Sequence, residues 1–361
     1  MSVSAYSAAF LFCAVREVSR VQLVAFPNGT GAIRHSTSLR LAKGLRHASG
    51  LGDSAASSPR NRNQDNRVKM TPRTQIVAFA FLCGVSIVLW WHALVSALRL
   101  ALSEEPYTHI LLIVPLSLAL ICLEGRMSPR NCESDATVGA FLLAGALLIA
   151  GFERWGGPGL GADLRLSLRM FAMVIWWVAS VVFCFGVGTF RRFLFPLCFL
   201  FWMVPVPAVV LNWMIPVLQK ESASTTRVLF QIVGVPVAQD GTVLDISGLM
   251  LDVRPECSSI RSSLLLIVTT MVLAHLFLRS WWRKALIIAV AIPLAVAKNG
   301  LRIFVIAELG RRVDSGFFDG NLHHHGGIVF LGIAVVVVVA LIWFLHRWEV
   351  RRPRELRARL S

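Results

Sequence analysis

From about residue 75 onward the chain is a succession of long apolar runs separated by short polar stretches. The runs poor in charge fall at about 75–98, 108–124, 137–152, 169–189, 193–214, 259–279, 284–307 and 326–346. Several reach the roughly 18–20 residues that carry an α-helix across a bilayer. No stretch alternates apolar and polar residues with period two, so nothing indicates a β-barrel. Lipid admits only helices and closed barrels as spanning structures, because no water is present to pair free backbone groups. The pattern therefore predicts an all-α fold, a polytopic transmembrane helix bundle of about eight spans. The third run is short for a crossing and suits a partly re-entrant helix. The fifth holds Pro196, Pro205 and Pro207, with Pro216 close behind. Proline removes a backbone donor and clashes with the preceding turn, so a kink or break is predicted there.

Residues 1–70 differ from the rest. They are rich in Arg, Ser, Ala and Asn, and 54–69 reads as disordered. The apolar patch at 8–15 is short and is followed by no cleavage pattern. Two readings stand: a basic cytoplasmic extension, or sequence ahead of a true start at Met70. The predicted organisation is thus an extension at 1–70, a transmembrane domain at 71–347 and a basic cytoplasmic tail at 348–361.

Charge sets the orientation. The chain is 56% hydrophobic and 16% charged, with a net charge of +16. The basic residues lie beside the apolar runs, so their partner is membrane lipid and not nucleic acid. Arg126 and Arg130 follow the second run, Arg191 and Arg192 the fourth, and Arg279, Arg283 and Lys284 the sixth. The stretch after the eighth, 346–359, is strongly basic as well. All fall on one side, which the positive-inside rule makes cytoplasmic. The connections at 104–107, 153–168, 217–258 and 308–325 fall on the other; Arg311 and Arg312 depart from the rule. This topology brings three polar segments to one depth on the outer face. Cys257 stands at the outer start of the sixth run. Arg302 lies about one to two turns below the outer end of the seventh. His323, His324 and His325 open the eighth.

These residue types suit acyl transfer without a metal. A cysteine attacks as the thiolate, which nearby cations and a helix N-terminus favour. Cys257 has both, with Arg261 one turn on, although Arg261 can instead pair with Glu256. A histidine in reach can take the thiol proton and return it to a leaving amine. An arginine in a membrane helix either serves a site or snorkels to headgroups. Arg302 can stabilise an oxyanion or hold a carboxylate. Consecutive helical residues point about 100° apart, so the three histidines do not suit one metal ion. With no CxxC spacing among seven cysteines, neither a metal nor a cofactor is predicted. Cys13, Cys83, Cys122, Cys132, Cys184 and Cys198 read as packing residues. His275 reads as a hydrogen-bonding histidine of the bundle interior. Tyr107 and His109 either line a substrate cleft or anchor the interface. Asp163, Glu221, Asp240 and Asp245 read as solvated loop charges. Composition alone favours another class: a polytopic transporter or flippase for a cell-surface polysaccharide precursor, with Arg302 and the histidines along its path.

Three blocks carry a resemblance: Cys257-Ser258-Ser259-Ile260-Arg261, Asn299-Gly300-Leu301-Arg302 and His323-His324-His325-Gly326-Gly327. Upstream stand Tyr107-Thr108-His109, Phe195-Pro196, Met203-Val204-Pro205-Val206-Pro207 and Gly234-Val235-Pro236-Val237. In this order and spacing, from about residue 75 to 346, the sequence resembles the exosortase/archaeosortase family of multipass membrane cysteine transpeptidases. Ser259 stands where that family usually has glycine, and Glu256 where small residues are common. The resemblance implies a Cys–Arg–His catalytic set of Cys257, Arg302 and His323. His323 has the His-x-x-x-Gly spacing to Gly327; His324 is the second choice, and Arg261 and Asn299 are supporting residues. It further implies a membrane cysteine peptidase or transpeptidase of the bacterial inner membrane, with its site on the periplasmic face. Its partners would be C-terminal sorting tails (PEP-CTERM-like) of exported proteins: a Pro-containing signature, a membrane helix and a basic cluster. Cleavage would pass through a thioester resolved by an amine or water.

Overall fold

The apolar runs fold as helices, since a helix pairs its own backbone groups without water. In the computed structural model of the chain, residues 71–125, 134–155, 159, 161–246, 249–253, 260–312 and 321–360 are described. They belong to one unit, Val68–Ser361; the 1–70 extension, Cys13, Arg126, Arg130 and Cys132 lie outside the described residues.

Helix α1 (Pro72–Leu89) opens on a Thr71 cap with proline in its first turn, both favourable at a helix start. The first apolar run is not one straight helix. Trp90 leaves helical geometry (φ −107°, ψ 18°), and α2 (Trp91–Ser103) begins afresh. A 3₁₀ turn, Glu105–Tyr107, leads into α3 (Ile110–Gly125). Then come α4 (Ala136–Trp155), α5 (Ala162–Arg192) and the short α6 (Leu194–Phe199) with a 3₁₀ turn at Leu200–Met203. Beyond them stand α7 (Ala208–Ile232), strands β1 (Val237–Asp240), β2 (Val243–Ile246) and β3 (Leu249–Asp252), and helices α8 (Ile260–Phe277), α9 (Trp281–Arg312) and α10 (Asn321–Leu360).

Among the described residues, six helices are long and apolar enough to cross a membrane, or seven if one bent pair counts as a span. Two of the expected spans account for the difference from about eight. The apolar part of α4, Ala136–Phe152, is short. The fifth run breaks: Leu194–Met203 and α7 meet at 90°. The bend falls at Pro205 and Pro207, neither of which can continue an upstream helical ladder.

The segment 217–258, expected as an outer connection, is largely ordered structure. Helix α7 runs on to Ile232, and a three-stranded antiparallel meander follows. Its register pairs Val237 with Ile246, Asp240 with Val243, Ile246 with Leu249 and Val243 with Asp252. The first turn is two residues long, with Gly241 at φ 60°, a conformation that costs glycine little. Leu244, Ile246 and Val253 bury against Ala223 and Phe230 of α7 and Ile303 and Ala307 of α9. Asp163 and Glu221 accordingly lie on helices, and Asp240 and Asp245 on strands.

Helices α8 and α9 are joined by three residues, 278–280, so they form an antiparallel hairpin. Helix α10 packs on both. Glu349 of α10 accepts the backbone N–H groups of Arg279 (3.3 Å) and Ser280 (3.1 Å) and pairs with Arg283 at 3.5 Å. The end of α8, the start of α9 and the Glu349 turn of α10 are thereby pinned at one basic corner. His275 bonds Glu124 Oε1 through Nε2 at 2.6 Å and stacks on Phe195 with centroids 3.8 Å apart. It is a hydrogen-bonding histidine, half-buried near this same corner.

Candidate active site

The pinned corner sets the level of everything above it. At about 1.5 Å per helical residue, Ile260 lies about 26 Å up α8 from Phe277. Arg302 lies about 32 Å up α9 from Trp281, and His323 about 39 Å up α10 from Glu349. The far end of this three-helix group therefore carries the start of α8, Arg302 and the histidine block. Cys257, with Glu256 and Ser259, lies outside the described residues. The ends that border it are placed. Val253 is buried, donates its N–H to the Thr242 carbonyl at 3.1 Å and accepts from Gln219 Nε2 of α7 at 2.8 Å. Ile260, the first residue of α8, is buried too. The Cys257 segment thus starts from a strand tied to α7 and enters α8.

Arg302 is 9% exposed, and with Lys298 at 5% it makes up the buried Arg and Lys side chains among the described residues. Its direction follows from its neighbours on α9. Lys298 Nζ donates to Ser262 Oγ, so that face of α9 meets α8. Asn299 Nδ2 donates to Ser222 Oγ of α7 at 2.9 Å, so that face meets α7. With about 100° between successive residues, Arg302 falls about 40° from Lys298 and about 60° from Asn299. It stands between the two faces, over the seam of α7 and α8.

The helix crossing that sets this direction is tight. A Cβ on Gly300 would come within 2.6 Å of Thr225 Cβ and 3.2 Å of the Ser222 carbonyl. Thr226 Oγ1 donates to the Gly300 carbonyl at 3.1 Å and to Ser222 at 2.8 Å. Small and hydroxyl residues at a membrane helix crossing let backbones approach and hydrogen-bond across it. Gly300→Val is therefore expected to destabilise the fold by about 1–3 kcal/mol through overpacking. Thermal unfolding in detergent checks this; an unchanged midpoint contradicts the tight crossing.

Arg261 stands in the first turn of α8, its Nη1 3.8 Å from Glu105 Oε1 on the 3₁₀ turn before α3. His323 and His324 belong to the first turn of α10; their side chains lie outside the described part. Tyr107 and His109 are buried anchors. Tyr107 donates its hydroxyl to the Val206 carbonyl at 3.0 Å, and His109, 2% exposed, bonds the Pro106 carbonyl and meets the Trp202 ring edge-on. Ser167 Oγ donates to the Pro205 carbonyl at 2.8 Å. Together they hold the proline bend. Cys83, Cys122, Cys184 and Cys198 lie in α1, α3, α5 and α6. Sequence reasoning passed over Lys298, Ser262 and Ser222. Lys298 did carry a signal, as a charge within an apolar run; the two serines carried none.

A family model described as transmembrane exosortase matches residues 90–340. No curated protein and no solved structure matches the chain.

Proposed function

We propose that this chain, which belongs to the transmembrane exosortase family, is a cysteine peptidase or transpeptidase cleaving C-terminal sorting tails of exported proteins. Family membership itself gives a membrane protein with a role in sorting-signal processing. The finer reading rests on one observation above all. A buried arginine, Arg302, faces the α7–α8 seam, and the described residues that flank Cys257 in sequence, Val253 and Ile260, are buried, Val253 being tied to α7 by Gln219.

The chemistry then runs as follows. Cys257, as thiolate, attacks the scissile carbonyl of the tail signature. Its proton goes to His323. Negative charge gathers on the carbonyl oxygen in the tetrahedral intermediate, where the Arg302 guanidinium offers charged donors. The C–N bond breaks, His323 returns the proton to the departing amine, and a thioester to Cys257 remains. An acceptor amine or water attacks the thioester and restores the thiol. Loss of the tail's own membrane helix frees the product from the bilayer. The reaction belongs on the periplasmic face of a bacterial inner membrane, opposite the basic corner at Arg279, Arg283 and Lys284. Asn299 and Gly300 hold α9 in place for Arg302, and Arg261 orients the first turn of α8 through Glu105.

The test is a co-expressed reporter ending in a Pro-containing signature, an apolar helix of about 20 residues and an Arg cluster. The wild-type chain is expected to shorten it by the length of the tail. A transporter or flippase would leave the reporter at full length, and that result would overturn the peptidase reading.

A further inference from the structure

The proposed chemistry leaves one buried cation without a task. Lys298 lies in the middle of α9, 5% exposed, and its Nζ donates to Ser262 Oγ of α8. Among the described residues no carboxylate pairs with it. A hydrogen bond to one hydroxyl does not offset the desolvation of an ammonium group. Methionine would fill a similar space without that penalty, so stability gives no reason for a lysine here. A buried ionisable group in a membrane helix is expected to serve function, with its partner as the pointer.

The partner is informative. Ser262 is the third residue of α8 and follows Cys257 by five positions. Lys298 precedes Arg302 by four, one turn along the same helix. One hydrogen bond therefore joins the helix that begins just after Cys257 to the helix that carries Arg302. Apolar packing between α8 and α9 tolerates small sliding, because lipid-facing and interhelical contacts are chemically alike; a buried polar bond selects one register.

We infer that Lys298 is a positioning residue: its bridge to Ser262 fixes the first turn of α8, five residues after Cys257 in sequence, against the part of α9 that carries Arg302. The inference rests on the assignment of Cys257 and Arg302 as the reacting pair. Acyl transfer is sensitive to such placement, since a misplacement of about 1 Å can cost about a hundredfold in rate.

The test uses the full-length protein in lipid nanodiscs, with Lys298→Met, Ser262→Ala, the double variant and Ser262→Thr. The first readout is turnover of the tailed reporter. Lys298→Met and Ser262→Ala are each expected to lower kcat about tenfold or more, with KM little changed. The double variant is expected to be no worse than either single one. Ser262→Thr, which keeps the hydroxyl, is expected to retain most of the activity. The second readout needs no catalysis: the rate of iodoacetamide alkylation at Cys257, followed by mass spectrometry on folded protein. Both single variants are expected to change that rate alike, at an unchanged thermal midpoint. Independent, multiplying effects on kcat would overturn the inference. So would alkylation rates that match wild type, or losses that only track the amount of folded protein. A matched change in alkylation with no tail cleavage by the wild-type chain would leave the bridge standing and remove the peptidase reading instead.

Discussion

Cys257→Ala is expected to reduce tail removal by at least about 10³-fold, while Cys198→Ala leaves it unchanged. The contrast follows from where the cysteines stand. Cys257 falls in sequence between two buried residues, Val253 and Ile260, and is the proposed nucleophile. Cys198 lies in α6, three residues from Phe195, which stacks on His275 near the basic corner. Losing the nucleophile removes the covalent step itself, so the effect falls on kcat and not on binding of the tail. The alanine variant is expected to bind substrate and keep its thermal midpoint. The measurement is conversion of the tailed reporter by each variant at matched membrane levels. Equal conversion by Cys257→Ala and wild type would exclude a thiol nucleophile at that position.

Arg302→Ala carries the second large effect, a loss of about 10²–10³-fold in kcat. Its side chain is buried and turned toward the seam, and in the proposed mechanism negative charge develops there only as the tetrahedral intermediate forms. Arg302→Lys keeps a charge but loses the planar two-donor fork. It is expected to recover only part of the rate. Single-turnover kinetics on the reporter separate the two roles open to Arg302. A fall in kcat at constant KM assigns it to the oxyanion. A rise in KM at constant kcat assigns it to holding a carboxylate of the tail. Wild-type kinetics in Arg302→Ala would contradict both.

Much of this arrangement was legible in the residues alone. Long apolar runs leave a chain in lipid little choice but helices, so α3, α5, α8, α9 and α10 lie close to where hydropathy puts them. The break in the fifth run was legible because Pro205 and Pro207 announce it chemically. The grouping of the α8 start, Arg302 and the first turn of α10 toward the same end of three helices was legible as well, because the runs that carry them alternate in direction. Other features depend on partners distant in sequence. Nothing near Trp90 signals a helix end. The strands Val237–Asp240, Val243–Ile246 and Leu249–Asp252 are four residues each, too short for a periodic signal, and exist because Phe230 and Ile303 cover them. His109 reads equally well as a cleft residue or an anchor until the fold buries it beneath Trp202. The direction of Arg302 was hidden for the same reason. It is defined by Lys298 meeting Ser262 and Asn299 meeting Ser222, contacts that span 36 and 77 positions.

The central claim is a covalent acyl intermediate on Cys257, and intact-mass and peptide mass spectrometry address it without a mutant. Wild-type protein is mixed with the tailed reporter, quenched in acid before the acceptor amine is added, and digested. The expected result is a Cys257 peptide heavier by the acyl fragment of the reporter, lost on treatment with hydroxylamine, as a thioester requires. A reporter cleaved at the normal rate with the Cys257 peptide at its unmodified mass at every quench time would contradict it.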